Sequence, residues 1–290
     1  MGISVKKVNA FTELIEGGNP AGVVLDSPDL TDEQMKYVSK TLKVSETAFV
    51  FPSENADYKV RFFSPELEVD LCGHATVATF FTLAVKGAFS EGKNVHVTQE
   101  TKAGILPVDI YFNDSRKVDR VMMAQGKSEF KDIYLDISTI ADSLNISVDE
   151  IDDSLPKQIV STGLFTLPLS IHSFDTLKEI RPNFEKIKKI CVKLGVGSFH
   201  LFTFDTIESS SIYHARNFAP LYGINEDPVT GTANGAVCSY LLKNGIIKDK
   251  SLMCEQGDII GRPGRVFVEL EKAGVMVGGM AKIVEESEID

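Results

Sequence analysis

The chain has no long hydrophobic run. Crossing a bilayer takes roughly 18 consecutive apolar residues, and the longest apolar stretch here, residues 75–85, carries three threonines. The first residues also lack the apolar core of a signal peptide. We therefore expect a cytoplasmic protein with no membrane partner.

Cysteine is scarce as well. The four cysteines are Cys72, Cys191, Cys238 and Cys254, and they show neither CxxC spacing nor nearby histidines in ligand register. Structural zinc sites depend on such spacing. We expect reduced thiols and no structural metal.

Positive charge is in short supply. Lysine and arginine number 30 against 41 aspartates and glutamates, which gives a formal net charge of −11 and a pI near 5.0. No run of basic residues is interleaved with aromatics, as tracking a phosphate backbone would need. A nucleic acid is therefore not expected as a partner.

What the sequence does contain is a duplication. In residues 69–78 and again in residues 226–236, a carboxylate and a glycine open a long apolar segment. The two segments end alike, on Lys86-Gly87 and Asn244-Gly245, as helices with glycine C-caps do. Further matches pair 31–42 with 183–194, 44–49 with 197–202, and 61–65 with 216–220. The pattern predicts two copies of one module.

Two copies are too few for a solenoid and favour two homologous domains that face each other across a cleft. The 290 residues, 43% of them hydrophobic, suffice for two cores. A polar turn at 113–116 places the boundary, so that the N-terminal module is 1–115 and the C-terminal module 116–290. We predict an α+β fold with short strands around a buried helix in each module, and a site at their interface.

Local patterns predict how these modules are built. Asn19 lies in the loop of a strand–loop–strand opening. Thr31 and Gln34 have the capping-box spacing at the start of a surface helix. The helix after Gly73 is apolar almost all round and must be enclosed. The acidic tail, residues 285–290, is expected to fray.

Each apolar helix begins at a glycine, Gly73 or Gly231. The first N–H groups of a helix lack intrahelical partners and form the positive end of its dipole. Such an end binds a carboxylate readily. If the modules face each other, both ends grip a small anionic substrate in one cleft.

The copies differ at Glu46, which aligns approximately with Phe199. One half then has a carboxylate where the other has an aromatic ring, which suggests one base facing an apolar wall. Desolvation in such a cleft lets a carboxylate take and return a proton near neutral pH, as a one-base isomerisation requires. The alternative is a solvated carboxylate at a strand end.

Other candidates flank the helix starts. His74 is either a neutral donor of one hydrogen bond to a substrate oxygen or a core or capping histidine. Asp227 either receives a proton from a substrate amine or hydroxyl or forms an Asx turn before Pro228. Thr232 is a further candidate, with helix capping as its alternative.

Cys72 directly precedes Gly73, where a thiolate base of a two-thiol racemase could lie. The equivalent residue of the second copy is Thr230, so the opposing thiol is missing. We therefore interpret Cys72 as a small buried residue.

Several short motifs are spread along the chain: GNPAGV at 18–23, SETAF at 45–49, DLCGHAT at 70–76, DPVTGTA at 227–233, and QG at 256–257 with GRPG at 261–264. Together they resemble the PhzF-like phenazine-biosynthesis isomerase family over nearly the whole chain. The resemblance implies a diaminopimelate epimerase-like fold, in which two similar domains each roll a mostly antiparallel sheet around a central helix. It also implies a homodimer and an active site between the domains.

The resemblance further implies roles for individual residues. Glu46 is the acid/base, and His74 and Asp227 assist proton transfer and orient the substrate. Gly73, Gly231 and Thr232 hold a carboxylate, and Asn19 matches a loop near the cleft. Many family members carry serine at the position of Thr232, so its extra methyl bears on which substrate fits.

Three functions are compatible with these features. The first is a cofactor-independent isomerase that moves a proton between carbons of a small carboxylate, such as a dihydro-hydroxyanthranilate, with Glu46 as its base. The second is an amino-acid racemase or epimerase with two opposed bases. The third is a non-catalytic protein that binds a small carboxylate. We favour the first.

Overall fold

The computed structural model describes residues 2–27, 29–89, 92–134, 136–271 and 274–290. Its strands are β1 (Ile3–Ala10), β2 (Asn19–Val24), β3 (Glu46–Phe51), β4 (Tyr58–Phe63), β5 (Glu68–Val69), β6 (Val95–Thr101), β7 (Gly104–Phe112), β8 (Val118–Ala124), β9 (Glu129–Asp132), β10 (Gln158–Ser161), β11 (Phe165–Ser170), β12 (Ser198–Thr203), β13 (His214–Ala219), β14 (Ile224–Asp227), β15 (Ser251–Gln256), β16 (Gly264–Glu271), β17 (Gly274–Gly279) and β18 (Ala281–Ile289). Its helices are α1 (Asp32–Leu42), α2 (Gly73–Val85), α3 (Ile137–Leu144), α4 (Phe174–Glu179), α5 (Phe184–Leu194) and α6 (Gly231–Lys243). Within the described ranges, every helix is too short or too polar to cross a membrane.

The chain forms two compact units. The first comprises Met1–Ala124 and Gly278–Asp290, and the second comprises Gln125–Val277. The division follows β8, whereas the sequence placed it in the turn at 113–116. That turn joins β7 to β8 inside one antiparallel pair, so it does not separate the units.

The strand pairing shows the duplication directly. In the first unit, β2 runs parallel to β3, β3 antiparallel to β4, and β4 antiparallel to β5 and parallel to β6, which pairs antiparallel with β7. In the second unit, β11 to β16 repeat these pairings in the same order. Most pairs are antiparallel. The predicted α+β class and the two-copy organisation are confirmed.

Each unit encloses one apolar helix, as predicted. α2 is buried at every residue from 75 to 84, and α6 is buried along most of its length. The three threonines of α2 donate their hydroxyls to the carbonyls four residues earlier, at 2.7 to 2.8 Å. These bonds satisfy polar groups that would otherwise be costly to bury.

The surface helix α1 begins with the predicted capping box. The Gln34 N–H donates to Thr31 Oγ1 at 3.3 Å, and the Thr31 N–H donates to Gln34 Oε1 at 2.8 Å. These two bonds satisfy backbone donors that the first helical turn leaves unpaired. They fix the helix start after Thr31.

The C-terminal tail forms a strand, so the prediction that residues 285–290 fray is wrong. β18 pairs antiparallel with the whole of β1, and Lys6 and Lys7 lie opposite Glu286 and Glu285. In addition, Lys86 Nζ is 2.9 Å from Glu286 Oε1. Opposite charges facing each other across a ladder stabilise the pairing, which explains how an acidic tail stays ordered.

Candidate active site

The start of β3 and the start of α2 bring Glu46 and His74 together. Glu46 Oε2 is 3.4 Å from His74 Nε2, and the two side chains are only 18% and 12% exposed. The carboxylate is therefore largely enclosed, and the alternative of a fully solvated strand-end residue does not hold. Two of the predicted catalytic residues share one site.

Ser45 and Cys72 complete this site, which we call the Glu46 cluster (Ser45, Glu46, Cys72 and His74). The Cys72 thiol donates to Glu46 Oε2 at 3.8 Å and lies 3.4 Å from His74 Nδ1. Ser45 Oγ lies 3.3 Å from His74 Nε2. Cys72 is buried, as interpreted, but the sequence did not place it beside the base.

The backbone at the start of α2 suits an anion. Cys72 is the N-cap residue and its side chain makes no capping hydrogen bond. The helical ladder begins with the Thr76 N–H donating to the Cys72 carbonyl at 3.0 Å, so the N–H groups of residues 73–75 precede it. These groups and the helix dipole favour a bound carboxylate next to the Glu46 cluster.

Asn19 lies in a strand and not in the predicted loop. It is the first residue of β2, where it pairs with Ala10, and it is buried. The turn before it needs glycine, because Gly18 has φ +59° and a Cβ there would lie 2.1 Å from the Ala10 carbonyl oxygen. In the parallel ladder, Ala21 lies opposite Glu46, so Asn19 and Glu46 belong to neighbouring strands.

The strand register corrects the alignment of Glu46 with Phe199. Thr47 lies opposite Phe63, and Phe199 lies opposite Phe218. Phe63 and Phe218 each follow the matching arginine of the repeat by two positions. Thr47 is therefore the equivalent of Phe199.

Glu46 corresponds instead to Ser198. Ser198 Oγ lies 2.8 Å from Thr166 Oγ1, whereas Phe199 belongs to the hydrophobic core of the second unit. A slip of one residue turns a strand side chain to the opposite face, so the proposed apolar wall at Phe199 is wrong. The carboxylate is still confined to the first copy.

At the start of α6, Asp227 and Thr230 are joined through Gln256. Gln256 Oε1 accepts from the Thr230 N–H at 3.0 Å and from Asn234 Nδ2 at 2.9 Å. Gln256 Nε2 donates to the Asp227 carbonyl at 2.9 Å and to Thr230 Oγ1 at 3.1 Å. The Thr230 hydroxyl donates to the Asp227 carboxylate. No role was predicted for Gln256, although it lies in the QG motif at 256–257.

Gly231 and Thr232 occupy the first two positions of α6. The N-cap residue is Thr230, so the alternative that Thr232 caps the helix does not hold. The Thr232 carbonyl accepts from Thr162 Oγ1 at 3.2 Å. In the repeat, Thr232 stands where the first unit has His74.

An arginine–glutamate pair holds the strand before each helix start. Arg61 donates two bonds of 2.8 Å to Glu68, and Arg216 does the same to Glu226. The hydrogen bond from Arg61 lowers the pKa of Glu68 to about 2, against the effect of burial, and Lys102 adds to the lowering. The sequence repeat matched the two arginines, but it did not identify the glutamate with which each of them pairs.

The chain has an α+β, epimerase-like fold. A probable proline racemase from Agrobacterium radiobacter K84 is similar in fold, with a TM-score of 0.65, 13% identity, and coverage of 99% of this chain and 93% of that one. At this identity the likeness concerns the fold alone.

Sequence comparison gives the family. Residues 8–287 match the family PhzC-PhzF, phenazine biosynthesis-like protein. The chain is 38% identical over 271 residues to the "Uncharacterized isomerase YfhB" of Bacillus subtilis, covering 93% of this chain and 91% of the relative. It is similar to a Bacillus anthracis phenazine biosynthesis protein of the PhzF family, with a TM-score of 0.91, 34% identity, and coverage of 100% and 99%. The chain belongs to the PhzC-PhzF family, and the resemblance is confirmed.

Proposed function

We propose that the protein is a cofactor-independent isomerase that moves a proton between two carbons of a small carboxylate, with Glu46 as its acid/base. The observation that carries this proposal is the Glu46 cluster, in which an enclosed carboxylate lies 3.4 Å from an imidazole at an uncapped helix start. Relatives with the name isomerase support the reaction class.

In the proposed reaction, the Glu46 carboxylate takes a proton from one substrate carbon, and the electron pair of that C–H bond moves into the conjugated system. Glu46 then returns the proton to another carbon of the same system, so the substrate formula does not change. His74 donates a hydrogen bond to the substrate oxygen on which charge develops. Charge stabilisation of this kind is commonly the largest single contribution to such rates.

The substrate carboxylate is proposed to bind the N–H groups that begin at Gly73. By their sequence pattern, Asn19, Asp227, Gly231 and Thr232 serve the same substrate. The variant Asp227→Asn tests this part, because it keeps the shape of the side chain and removes its ability to accept a proton.

A racemase is the second candidate, because Cys72 places a second titratable group beside Glu46. Its thiol lies 3.8 Å from Glu46 Oε2 and donates to it, so the two groups do not flank a substrate carbon. Two-base exchange needs bases on opposite faces of that carbon, and the equivalent of Cys72 in the second copy is Thr230. Racemisation predicts that Cys72→Ala abolishes turnover, whereas the one-base isomerase retains more than a tenth of it.

The test is NMR of dihydro-hydroxyanthranilic acid with the protein in D₂O. Wild type should consume the substrate and place deuterium on a ring carbon, and Glu46→Gln should do neither. Glu54→Gln, at an exposed turn, is the matched control and should behave as wild type. Conversion by Glu46→Gln would show that Glu46 is not the base. If neither wild type nor any variant converts the compound, it is not the substrate.

We further propose that the protein is a homodimer, as the resemblance implies. Size-exclusion chromatography with light scattering measures the mass directly. A mass of one chain, 31.8 kDa, at micromolar concentration would contradict the dimer.

A further inference from the structure

Three groups of different chemistry converge in the Glu46 cluster: a carboxylate, a thiol and an imidazole. Their ligand atoms all lie within 4.8 Å of one another. His74 Nε2 is 3.4 Å from Glu46 Oε2, and Cys72 Sγ is 3.8 Å from each of these two atoms. The distance between the nitrogen and the oxygen exceeds that of a good hydrogen bond, about 2.7 to 3.2 Å.

These separations fit the edges of a metal tetrahedron. Zinc lies about 2.3 Å from sulfur, 2.0 to 2.1 Å from nitrogen and 2.0 to 2.2 Å from carboxylate oxygen, so tetrahedral angles set edges of about 3.6 Å (S–N), 3.6 Å (S–O) and 3.4 Å (N–O). The observed edges differ from these by a few tenths of an ångström. Cys72 Sγ now lies nearer to His74 Nδ1, at 3.4 Å, so a rotation of the imidazole ring that turns Nε2 towards the sulfur and the carboxylate would let all three ligand atoms share one ion.

The chemistry of the ligands agrees with the geometry. Thiolate and imidazole select zinc-like ions over magnesium or calcium. A carboxylate and a thiolate together neutralise a double positive charge, and a helix N-terminus favours the thiolate form of a cysteine. The helix dipole opposes a cation at this end, but the two full negative charges outweigh its partial positive charge.

We propose that Glu46, Cys72 and His74 form a three-ligand site for a thiophilic divalent ion such as Zn²⁺, and that the bound ion inhibits the protein. On binding, the Cys72 S–H bond breaks, the sulfur–metal bond forms and the proton leaves to solvent, with no change of oxidation state. The ion engages the Glu46 lone pair, which then cannot take a proton from carbon. Binding stands on the geometry alone, and the inhibition rests on the proposed function.

Titration of the chelator-treated protein with Co²⁺ tests the binding. Wild type should develop a thiolate-to-cobalt charge-transfer band and tetrahedral d–d bands with one ion per chain, and Zn²⁺ should displace them while Mg²⁺ should not. Cys72→Ser should abolish the charge-transfer band and weaken binding more than about hundredfold, since even loss of an outer partner costs 10- to 100-fold. Glu46→Gln and His74→Asn should each weaken binding more than about tenfold.

Cys254→Ala is the matched control, because Cys238 and Cys254 lie 3.4 Å apart in the second unit and offer the main competing pair of thiols. This variant should keep the band. A band that survives in Cys72→Ser, or one that is lost in Cys254→Ala, would overturn the proposal, and so would the absence of a band in folded wild type.

Inhibition is measured separately, by proton exchange in D₂O. Stoichiometric Zn²⁺ should suppress wild-type exchange, and excess chelator should restore it. If the protein binds Co²⁺ at Cys72 but never exchanges substrate protons, the proposed function fails and the metal site stands. If it exchanges protons but binds no Co²⁺, the reverse holds.

Discussion

The starts of α2 and α6 share one backbone arrangement but differ in the side chains they carry. At three equivalent positions, the first start carries a carboxylate, a thiol and an imidazole, and the second carries only hydroxyls: Glu46, Cys72 and His74 against Ser198, Thr230 and Thr232. The hydroxyls of Ser198 and Thr230 are engaged with Thr166, Asp227 and Gln256. The comparison teaches that duplication supplied the same backbone arrangement twice, while at these three positions only the first start carries titratable side chains.

The largest expected difference is in kcat, between a variant of Glu46 and a variant of its equivalent, Ser198. Glu46→Gln should lower kcat about 10²- to 10⁴-fold, because a general acid/base contributes that much, and should change the free energy of unfolding little. Ser198→Ala should leave kcat within a few-fold and cost about 1 kcal/mol of stability through the bond to Thr166. Steady-state kinetics and urea unfolding measure the two quantities. Equal losses of kcat would mean that the starts are not chemically distinct.

The next effect concerns the arginines, whose environments differ. The Arg216 side chain is 7% exposed and that of Arg61 is 24% exposed. Arg216 Nη1 also donates to the carbonyls of Leu177 and Ile180 at 2.9 and 3.1 Å. Arg216→Ala should cost about 3 to 5 kcal/mol, because it removes the buried donor of the Leu177 and Ile180 carbonyls as well as the partner of Glu226. Arg61→Ala should cost about 1 kcal/mol, because Arg61 is more exposed and Glu68 keeps Lys102 as a second cation.

Urea unfolding at pH 7 tests this difference. Arg216→Lys is the control, since it keeps the charge and loses the two-bond geometry, and its loss should fall between those of wild type and Arg216→Ala. Similar losses for Arg61→Ala and Arg216→Ala would show that burial does not distinguish the two pairs.

Acid should destabilise the second unit through Glu255, which is fully buried. Burial raises its pKa, but hydrogen bonds from His214 Nδ1 and from the N–H groups of Ile207 and Glu208 lower the pKa from 4.5 to about 2. A lowered pKa in the folded state means stability that is complete above about pH 4.5 and lost as the pH falls towards 2. The free energy of unfolding of wild type should therefore fall over this range.

Glu255→Gln should cost stability at pH 7 and weaken the dependence on pH between 4.5 and 2, as measured by urea unfolding at several pH values. Glu68→Gln is the comparison from the first unit. The cations Arg61 and Lys102 hold the pKa of Glu68 low, so its contribution should shrink more in 1 M salt. An unchanged acid profile in both variants would contradict these assignments.

Local signals made much of the fold predictable. The capping box at Thr31, the all-apolar helix after Gly73 and the repeated motifs each depend on residues close together in the chain. The tail was mispredicted because its glutamates suggest solvation until Lys6 and Lys7 are placed opposite them. That pairing joins the two ends of the chain and leaves no local signal.

The site was predictable in part. Glu46 and His74 were found, but Cys72 was set aside because it has no thiol counterpart, and its contact with Glu46 spans 26 positions of sequence. The alignment of Glu46 with Phe199 was wrong by one residue. It matched Ser45 with Ser198, whereas the strand pairing next to Arg61 and Arg216 matches Glu46 with Ser198. In strands, a register shift of one residue turns each side chain to the opposite face of the sheet. Residue identity alone therefore cannot align two strands; the register of their pairing is needed.

The smallest expected effect lies at Thr232, the equivalent of His74. A Cβ at Gly163 would lie 3.6 Å from Thr232 Cγ2, so the methyl group faces the Gly163 backbone. Thr232→Ser keeps the hydroxyl and removes this methyl, which is worth at most about 1 to 3 kcal/mol of discrimination between substrates. We expect a several-fold change in KM with kcat nearly unchanged. Thr232→Val keeps the shape and removes the hydroxyl, and it should raise KM further if that hydroxyl holds the substrate carboxylate. Equal KM values for the Ser and Val variants would show that the hydroxyl takes no part, and that the second helix start binds through its backbone alone.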